Sequence, residues 1–245
     1  MCEPGRPLLL LTACLALLPA GCAGDTVESR IARVESGLLA ELGDPPWRRL
    51  TLADRMAYHH VPGVGIAVVN DFKIEWAKGY GVLEAGRNEP VTRDTLFQAA
   101  SVGKTIVAVA ALRVVEEGLL DLDEEVNERL ASWKVPESGF TAREKVTLRR
   151  LLSHSAGLNS FGYQGYARGR PLPTLKEVLN GAPPANSPPA RVVSVPGTGF
   201  RYSNSGFLIV QQLLTDVTGR PFERLAAEKV LDPTGMTPVS YTHLR

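Results

Sequence analysis

A hydroxyl and an amine stand three residues apart in Ser101-Val102-Gly103-Lys104, and a phenol and an amide stand two apart in Tyr202-Ser203-Asn204. On a helix, residues i and i+3 share a face, so a helix starting near Ser101 sets Lys104 beside the Ser101 oxygen. A serine hydroxyl is a poor nucleophile until a neighbouring base takes its proton. Lysine can act as that base once it is uncharged, and burial disfavours the ammonium form. The chemistry this spacing allows is covalent catalysis by an activated serine. Chance competes with it. With 13 serines and 7 lysines in 245 residues, about 0.4 Ser-x-x-Lys matches arise at random, and Tyr-x-Asn arises about 0.2 times. Each occurs once, so the surroundings must decide.

The element that would carry Ser101 and Lys104 is a helix. Residues 105–117 (Thr-Ile-Val-Ala-Val-Ala-Ala-Leu-Arg-Val-Val-Glu-Glu) are apolar nearly all round, the pattern of a buried helix, and Gly118 suits its end. Its N-terminus falls at Ser101, where the positive end of the dipole favours a developing alkoxide and disfavours a proton on Lys104. Upstream, Asp25 or Thr26 caps a helix reaching about Leu42, with Ile31, Val34, Leu38 and Leu42 at helical spacing. Thr51-Leu52-Ala53-Asp54 opens a short helix that stops before Pro62. Residues 64–70 and 72–82, rich in Val, Ile, Tyr and Trp, read as a β-hairpin turning near Asn70-Asp71.

Downstream the pattern is helical. Thr147 begins a helix through Leu152, and Thr174-Leu175-Lys176-Glu177 is a capping box whose helix closes at Gly181. Seven prolines between Pro171 and Pro196 imply an extended surface loop. Residues 205–217 form a helix ended by Gly219, and Pro221 starts another through about Leu231. Strands followed by a helical block argue for an α+β fold. No internal repeat is visible.

Residues 1–22 read as an export signal, with Arg6 at the positive end and a mostly apolar stretch from Pro7 to Pro19 that is short for a transmembrane helix. Small residues before Cys22 resemble a bacterial lipoprotein cleavage site with Cys22 as the lipidated residue. Pro19 departs from the usual aliphatic residue, so ordinary signal cleavage is the alternative; Cys14 marks a second, less spacious site. The expectation is an exported, envelope protein anchored to the membrane by lipid. All three cysteines, Cys2, Cys14 and Cys22, lie in this segment, which leaves the mature body no disulfide and no thiolate metal site. About 224 mature residues bury roughly 70% of their unfolded surface, enough for a core without cross-links. Net charge is +1, and nothing in it argues for nucleic acid as a partner. The acidic run from Asp121 to Glu125 and the pair Arg149-Arg150 read as solvated faces.

The stretch from Phe97 to Lys104 resembles the nucleophile segment of the serine β-lactamase and penicillin-binding-protein superfamily, whose class C branch also contains esterases and D-amino-acid peptidases. Three more segments agree in order and spacing: residues 148–158 (Leu-Arg-Arg-Leu-Leu-Ser-His-Ser-Ala-Gly-Leu) resemble the turn after its first helices, residues 196–206 its Tyr-x-Asn loop, and Leu231-Asp232-Pro233-Thr234-Gly235-Met236 its Pro-Leu-Gly-Met segment, with Thr234 in place of leucine. The resemblance runs from about Val61 to Met236. It implies an antiparallel sheet flanked by helices with an inserted helical region, here about residues 97–235 of a domain spanning 23–237. It implies that Ser101 attacks a carbonyl to form an acyl-enzyme and that Lys104 takes part in its deprotonation. Tyr202 would be a phenolate base or a proton relay, Asn204 would orient Lys104 and the substrate amide, and the Ser101 N–H would be half of an oxyanion hole. No metal or cofactor is implied; the partner is a small-molecule or peptide substrate. The family also uses a Lys-Thr-Gly or His-x-Gly strand, and neither motif follows Tyr202 here. Residues 238–245 do not resemble the family's continuation. The expectation is an incomplete domain lacking its C-terminal strands, with a non-native tail.

Other motifs carry less. Gly103-Lys104-Thr105 mimics the end of a phosphate loop, but the glycine required five residues earlier is Gln98. His154 beside Ser155 lacks the Gly-x-Ser-x-Gly frame of a hydrolase elbow, and the resemblance makes its turn structural. His59-His60 has no ligand-spaced partner for zinc. Phe161, Tyr163 and Tyr166 lie in a loop that could border a cleft. The leading reading is a serine hydrolase acting through an acyl-enzyme on β-lactams, carboxylic esters or D-amino-acid peptides. The alternative is a non-catalytic relative that binds cell-wall peptide, or an inactive fragment.

Overall fold

The computed structural model describes residues 25–39, 49–167 and 169–236. Cys22, the export signal and residues 238–245 lie outside them. The chain divides into two compact units at Thr95/Leu96.

In the first unit, α1 (Val27–Ser36) is capped by Thr26, whose side chain accepts from the Ser29 N–H at 3.2 Å. The helix ends at Gly37 rather than Leu42. Leu38 and Leu39 leave the helical spacing to form β1 (Leu38–Leu39), paired antiparallel with β2 (Arg49–Leu50). Tertiary pairing here overrides a periodicity that continues in sequence. Thr51 and Asp54 exchange backbone and side-chain hydrogen bonds, the capping box that starts α2 (Leu52–Tyr58). The hairpin is β3 (Gly63–Asn70) with β4 (Lys73–Gly81). Its turn falls on Asp71 and Phe72, with φ of 47° and 60°, so both central residues take the left-handed backbone that matches the strand twist. Gly79 is required: a Cβ there would lie 2.3 Å from the Val91 carbonyl oxygen. Among the described residues of this unit, Leu52, Trp76 and Val91 are buried. Ion pairs Arg30–Glu75 and Lys78–Glu35 (2.6 Å) join α1 to β4. Small antiparallel sheets beside helices make the chain α+β, in agreement with the sequence reading.

The second unit is helical and its core is continuous. A 3₁₀ turn (Ala100–Val102) runs into α3 (Gly103–Glu116), followed by α4 (Val126–Arg129), α5 (Leu148–Leu152), α6 (Leu175–Asn180), α7 (Asn204–Thr218) and α8 (Phe222–Ala226), which widens into a π-turn (Ala227–Leu231). The predicted caps are present. Thr147 accepts from Arg150 N–H, Thr174 and Glu177 form the capping box, and Gly181 and Gly219 end their helices in the left-handed conformation.

The centre differs from the expectation. The most enclosed helix is α7, with Ile209, Val210, Leu213 and Leu214 at 0% exposure. The apolar α3 buries Val107, Ala110, Ala111 and Val114 against α7, α8 and the π-turn, but leaves Val109 and Leu112 exposed. An all-apolar sequence states what a helix tolerates, and the number of elements around it decides what it buries. One further expectation is corrected. The proline-rich stretch is not wholly a surface loop: Ala190 and Val192 are buried, and Val192 bridges Leu158. Asp123 and Arg149 are solvent-exposed, as expected of solvated faces, and they meet: Arg149 donates to both oxygens of Asp123 at 2.7 and 2.8 Å.

One polar cluster locks α7 to the chain after α4. The Asp216 carboxylate accepts from the N–H groups of Ala131 (2.8 Å) and Ser132 (2.9 Å), the Ser132 hydroxyl (2.8 Å) and the Gln212 amide (2.9 Å). Burial alone would raise its carboxyl, but the Ser132, Ala131 and Gln212 bonds carry it below the ordinary value of 3.8.

Candidate active site

The site is assembled from three pieces of the second unit. The first is the 3₁₀ turn before α3, which sets Ser101 at the positive end of a 14-residue helix. The residue just before it, Ala100, has φ of 44°. A side chain in that region costs about 1–3 kcal/mol, and such strain persists where surrounding structure over-determines it, often at functional sites. Lys104 follows one helical turn later. Its Nζ donates to Ser101 Oγ at 3.1 Å and to Asn204 Oδ1 at 2.8 Å.

The second piece is the segment ending at Ser203, the N-cap of α7. Tyr202 lies just before the cap and reaches back across 101 residues of sequence: its Oη donates to Ser101 Oγ at 2.9 Å. Asn204 is the first residue of α7. Its amide donates to the Phe161 carbonyl at 3.0 Å, which leaves the oxygen aimed at Lys104. The structure therefore brings Ser101, Lys104, Tyr202 and Asn204 into one hydrogen-bonded group.

Lys104 Nζ contacts two acceptors and lies 4.9 Å from the Tyr202 ring centre and 5.7 Å from that of Phe207. The hydrogen bond with Lys104, then that with Ser101, hold the Tyr202 phenol below its ordinary value of 10.0.

The third piece is the turn after α5. His154 has φ of 56°. Its carbonyl accepts from Arg201 N–H at 2.8 Å and its Nδ1 from Ser203 N–H at 3.1 Å. Its ring lies 4.4 Å from that of Tyr202 and 5.2 Å from that of Phe207. Burial, then the Lys104 charge, push the imidazole below its ordinary 6.5. Nearby, Ser203 Oγ donates to the Asn159 carbonyl at 3.0 Å, and the Asn159 side chain ties Arg191 N–H and the Pro189 carbonyl.

Sequence reasoning did not find the carbonyl of Phe161 or the bonds of His154. The Phe161 contact is made by backbone and leaves no residue-type signal. His154 was legible only as part of residues 148–158. Phe161 and Tyr163 pack edge to face at 5.4 Å, and burial raises the Tyr163 phenol. Gly103-Lys104-Thr105 lies in the first turn of α3, and His59 and His60 end α2. Among the described residues no group of three or more His, Cys, Asp and Glu is placed to hold a metal ion, and no helix is long and apolar enough to cross a membrane.

Residues 49–243 match the Beta-lactamase family, and the chain belongs to it. Penicillin-binding protein 4 of Amycolatopsis lactamdurans is 29% identical over 180 residues, 73% of this chain and 44% of that protein. The structure of EstCE1, described as a hydrolase with promiscuous acyltransferase activity, aligns with a TM-score of 0.61 at 26% identity, over 75% of this chain and 49% of that one. D-amino acid amidase of Ochrobactrum anthropi SV3 aligns with a TM-score of 0.59 at 25% identity, over 75% of this chain and 50% of that one. The chain spans less than half the length of the curated relatives it matches.

Proposed function

We propose that the chain belongs to a serine hydrolase that works through an acyl-enzyme on β-lactams, carboxylic esters or D-amino-acid peptides. The observation that carries this reading is the convergence of a phenol at 2.9 Å and an amine at 3.1 Å on one serine oxygen. Tyr202, in its deprotonated form, accepts the Ser101 proton as Oγ bonds to the substrate carbonyl carbon. The resulting phenol returns that proton to the leaving nitrogen or oxygen as its bond to carbon breaks. Water then attacks the ester carbon on Ser101 while giving one proton to Tyr202, which passes it to Oγ as the Oγ–carbon bond breaks; the product leaves as a carboxylic acid that loses its remaining proton to solvent. Lys104 balances the charge that moves between Tyr202 and the tetrahedral oxygen, and Asn204 fixes Lys104. The hydrolase and amidase among the structural neighbours support the reaction class.

The test is covalent labelling of the purified chain with a fluorophosphonate and a fluorescent penicillin, each followed by peptide mass analysis. The expected adduct lies on the peptide containing Ser101 and is absent from Ser101→Ala. Which probe reacts separates ester-type from β-lactam-type substrates. A folded protein that neither probe marks at Ser101 would defeat the proposal in favour of a non-catalytic binding protein.

A further inference from the structure

We propose that His154 is a positioning residue that clamps Tyr202 onto Ser101. The inference rests on the hydrolase reading for its kinetic consequence and on geometry for its structural one. His154 holds both chain neighbours of Tyr202: its carbonyl takes the Arg201 N–H at 2.8 Å and its Nδ1 takes the Ser203 N–H at 3.1 Å. Between those two bonds the Tyr202 ring lies against the imidazole, tilted by 37° with centroids 4.4 Å apart. One residue thereby sets the position of the Tyr202 backbone on both sides and the plane of its ring. Tyr202 itself is 39% exposed, so burial does little to hold it.

The clamp requires a particular form of the ring. Nδ1 accepts only while it carries no proton, so the single ring proton sits on Nε2. An imidazolium would present N–H to N–H at Ser203 and lose the bond. The charged or titratable groups facing the ring are Lys104 from α3 and Tyr202 from the segment before α7; Phe207 of α7 and Phe200 supply apolar faces. The Lys104 cation and partial burial both work against a second proton.

Two substitutions separate the clamp from the fold. His154→Gly suits the positive φ and keeps the carbonyl bond to Arg201 while removing the imidazole. His154→Asn also suits that backbone and replaces the Nδ1 acceptor with an amide oxygen. Small displacements of catalytic groups cost up to about 10²-fold. Fluorophosphonate labelling of Ser101 is therefore expected to slow about 10²-fold in His154→Gly and to recover to within about fivefold of the unsubstituted chain in His154→Asn. Labelling is paired with a second readout, the titration of Tyr202 followed by tyrosine ¹³Cζ NMR. Tyr202 should titrate below a free phenol in the unsubstituted chain, move up toward it in His154→Gly, and move back in His154→Asn. If His154→Gly labels at the original rate and leaves the Tyr202 titration in place, the proposal fails. Should the unsubstituted chain not label Ser101 while Tyr202 still responds to His154→Gly, the hydrolase reading fails and the clamp stands. If His154→Gly does not fold, ¹⁵N NMR of the unsubstituted chain decides: a protonated Nδ1 at neutral pH overturns the clamp, and a bare acceptor nitrogen sustains it.

Discussion

Tyr202→Phe removes one oxygen atom and leaves the ring that packs on His154. Its hydroxyl bonds to Ser101, and the residue is 39% exposed. If the phenolate is the base, acylation of Ser101 should fall by about 10²–10⁴-fold, with thermal unfolding unchanged. The pH dependence follows from the same atom. Lys104 and Ser101 hold the phenol below 10.0, so the reactive, deprotonated form persists above the lowered value and is lost as pH falls through it. Labelling rates measured across neutral and alkaline pH should rise to a plateau through one ionisation, and Tyr202→Phe should abolish that rise. A pH-independent rate, or a Tyr202→Phe variant of full activity, would return the base role to Lys104. At this scale the sequence was informative about residue types and silent about roles. The i, i+3 spacing placed Lys104 beside Ser101. The aromatic faces and the Asn204 oxygen that surround the amine come from elements a hundred residues distant.

Among the elements, α7 carries the most. It presents Ser203 and Asn204 at its start and Asp216 near its end, and the Asp216 carboxylate serves as cap for the otherwise unpaired N–H groups of Ala131 and Ser132. Asp216→Ala leaves those donors without their acceptor, at a cost of about 2–3 kcal/mol. Denaturant unfolding followed by far-UV circular dichroism at neutral pH should show that loss. The sign with pH is fixed by the lowered carboxyl: its contribution is present above 3.8 and disappears as pH falls through the folded value, so the variant and parent should converge in acid. An equal gap at neutral and strongly acidic pH would contradict this. Element ends were well read in advance because caps are local. Thr51 with Asp54, Thr174 with Glu177, and Gly181 and Gly219 each act on neighbours three or four residues away. The end of α1 was misread because Leu38 and Leu39 exchange helical hydrogen bonds for a strand partner at residues 49–50, which no local pattern reveals.

Across the whole molecule, stability should differ between the two units. The second has a continuous core around α7, with many side chains wholly enclosed. In the first, among the described residues, β3 and β4 pair only with each other, and Val69, Phe72 and Ile74 are exposed at 64%, 103% and 69%. A two-stranded hairpin is marginal in water without further strands or a covering helix. Hydrogen exchange read by mass spectrometry should therefore show β3 and β4 amides exchanging well before those of α7. Equal protection in the two would mean that the hairpin is covered in solution.

The amino-acid sequence by itself determined the hairpin, the capped helices and the adjacency of Ser101 and Lys104. Each depends on backbone preferences or hydrogen bonds within a few residues. Tertiary structure alone decided that α7 rather than α3 would be enclosed, that Ala190 and Val192 would join the core, and that Tyr202 would close on Ser101 under His154. Those outcomes depend on which surfaces meet, and a contact between residues a hundred positions apart is set by the packing of everything between them.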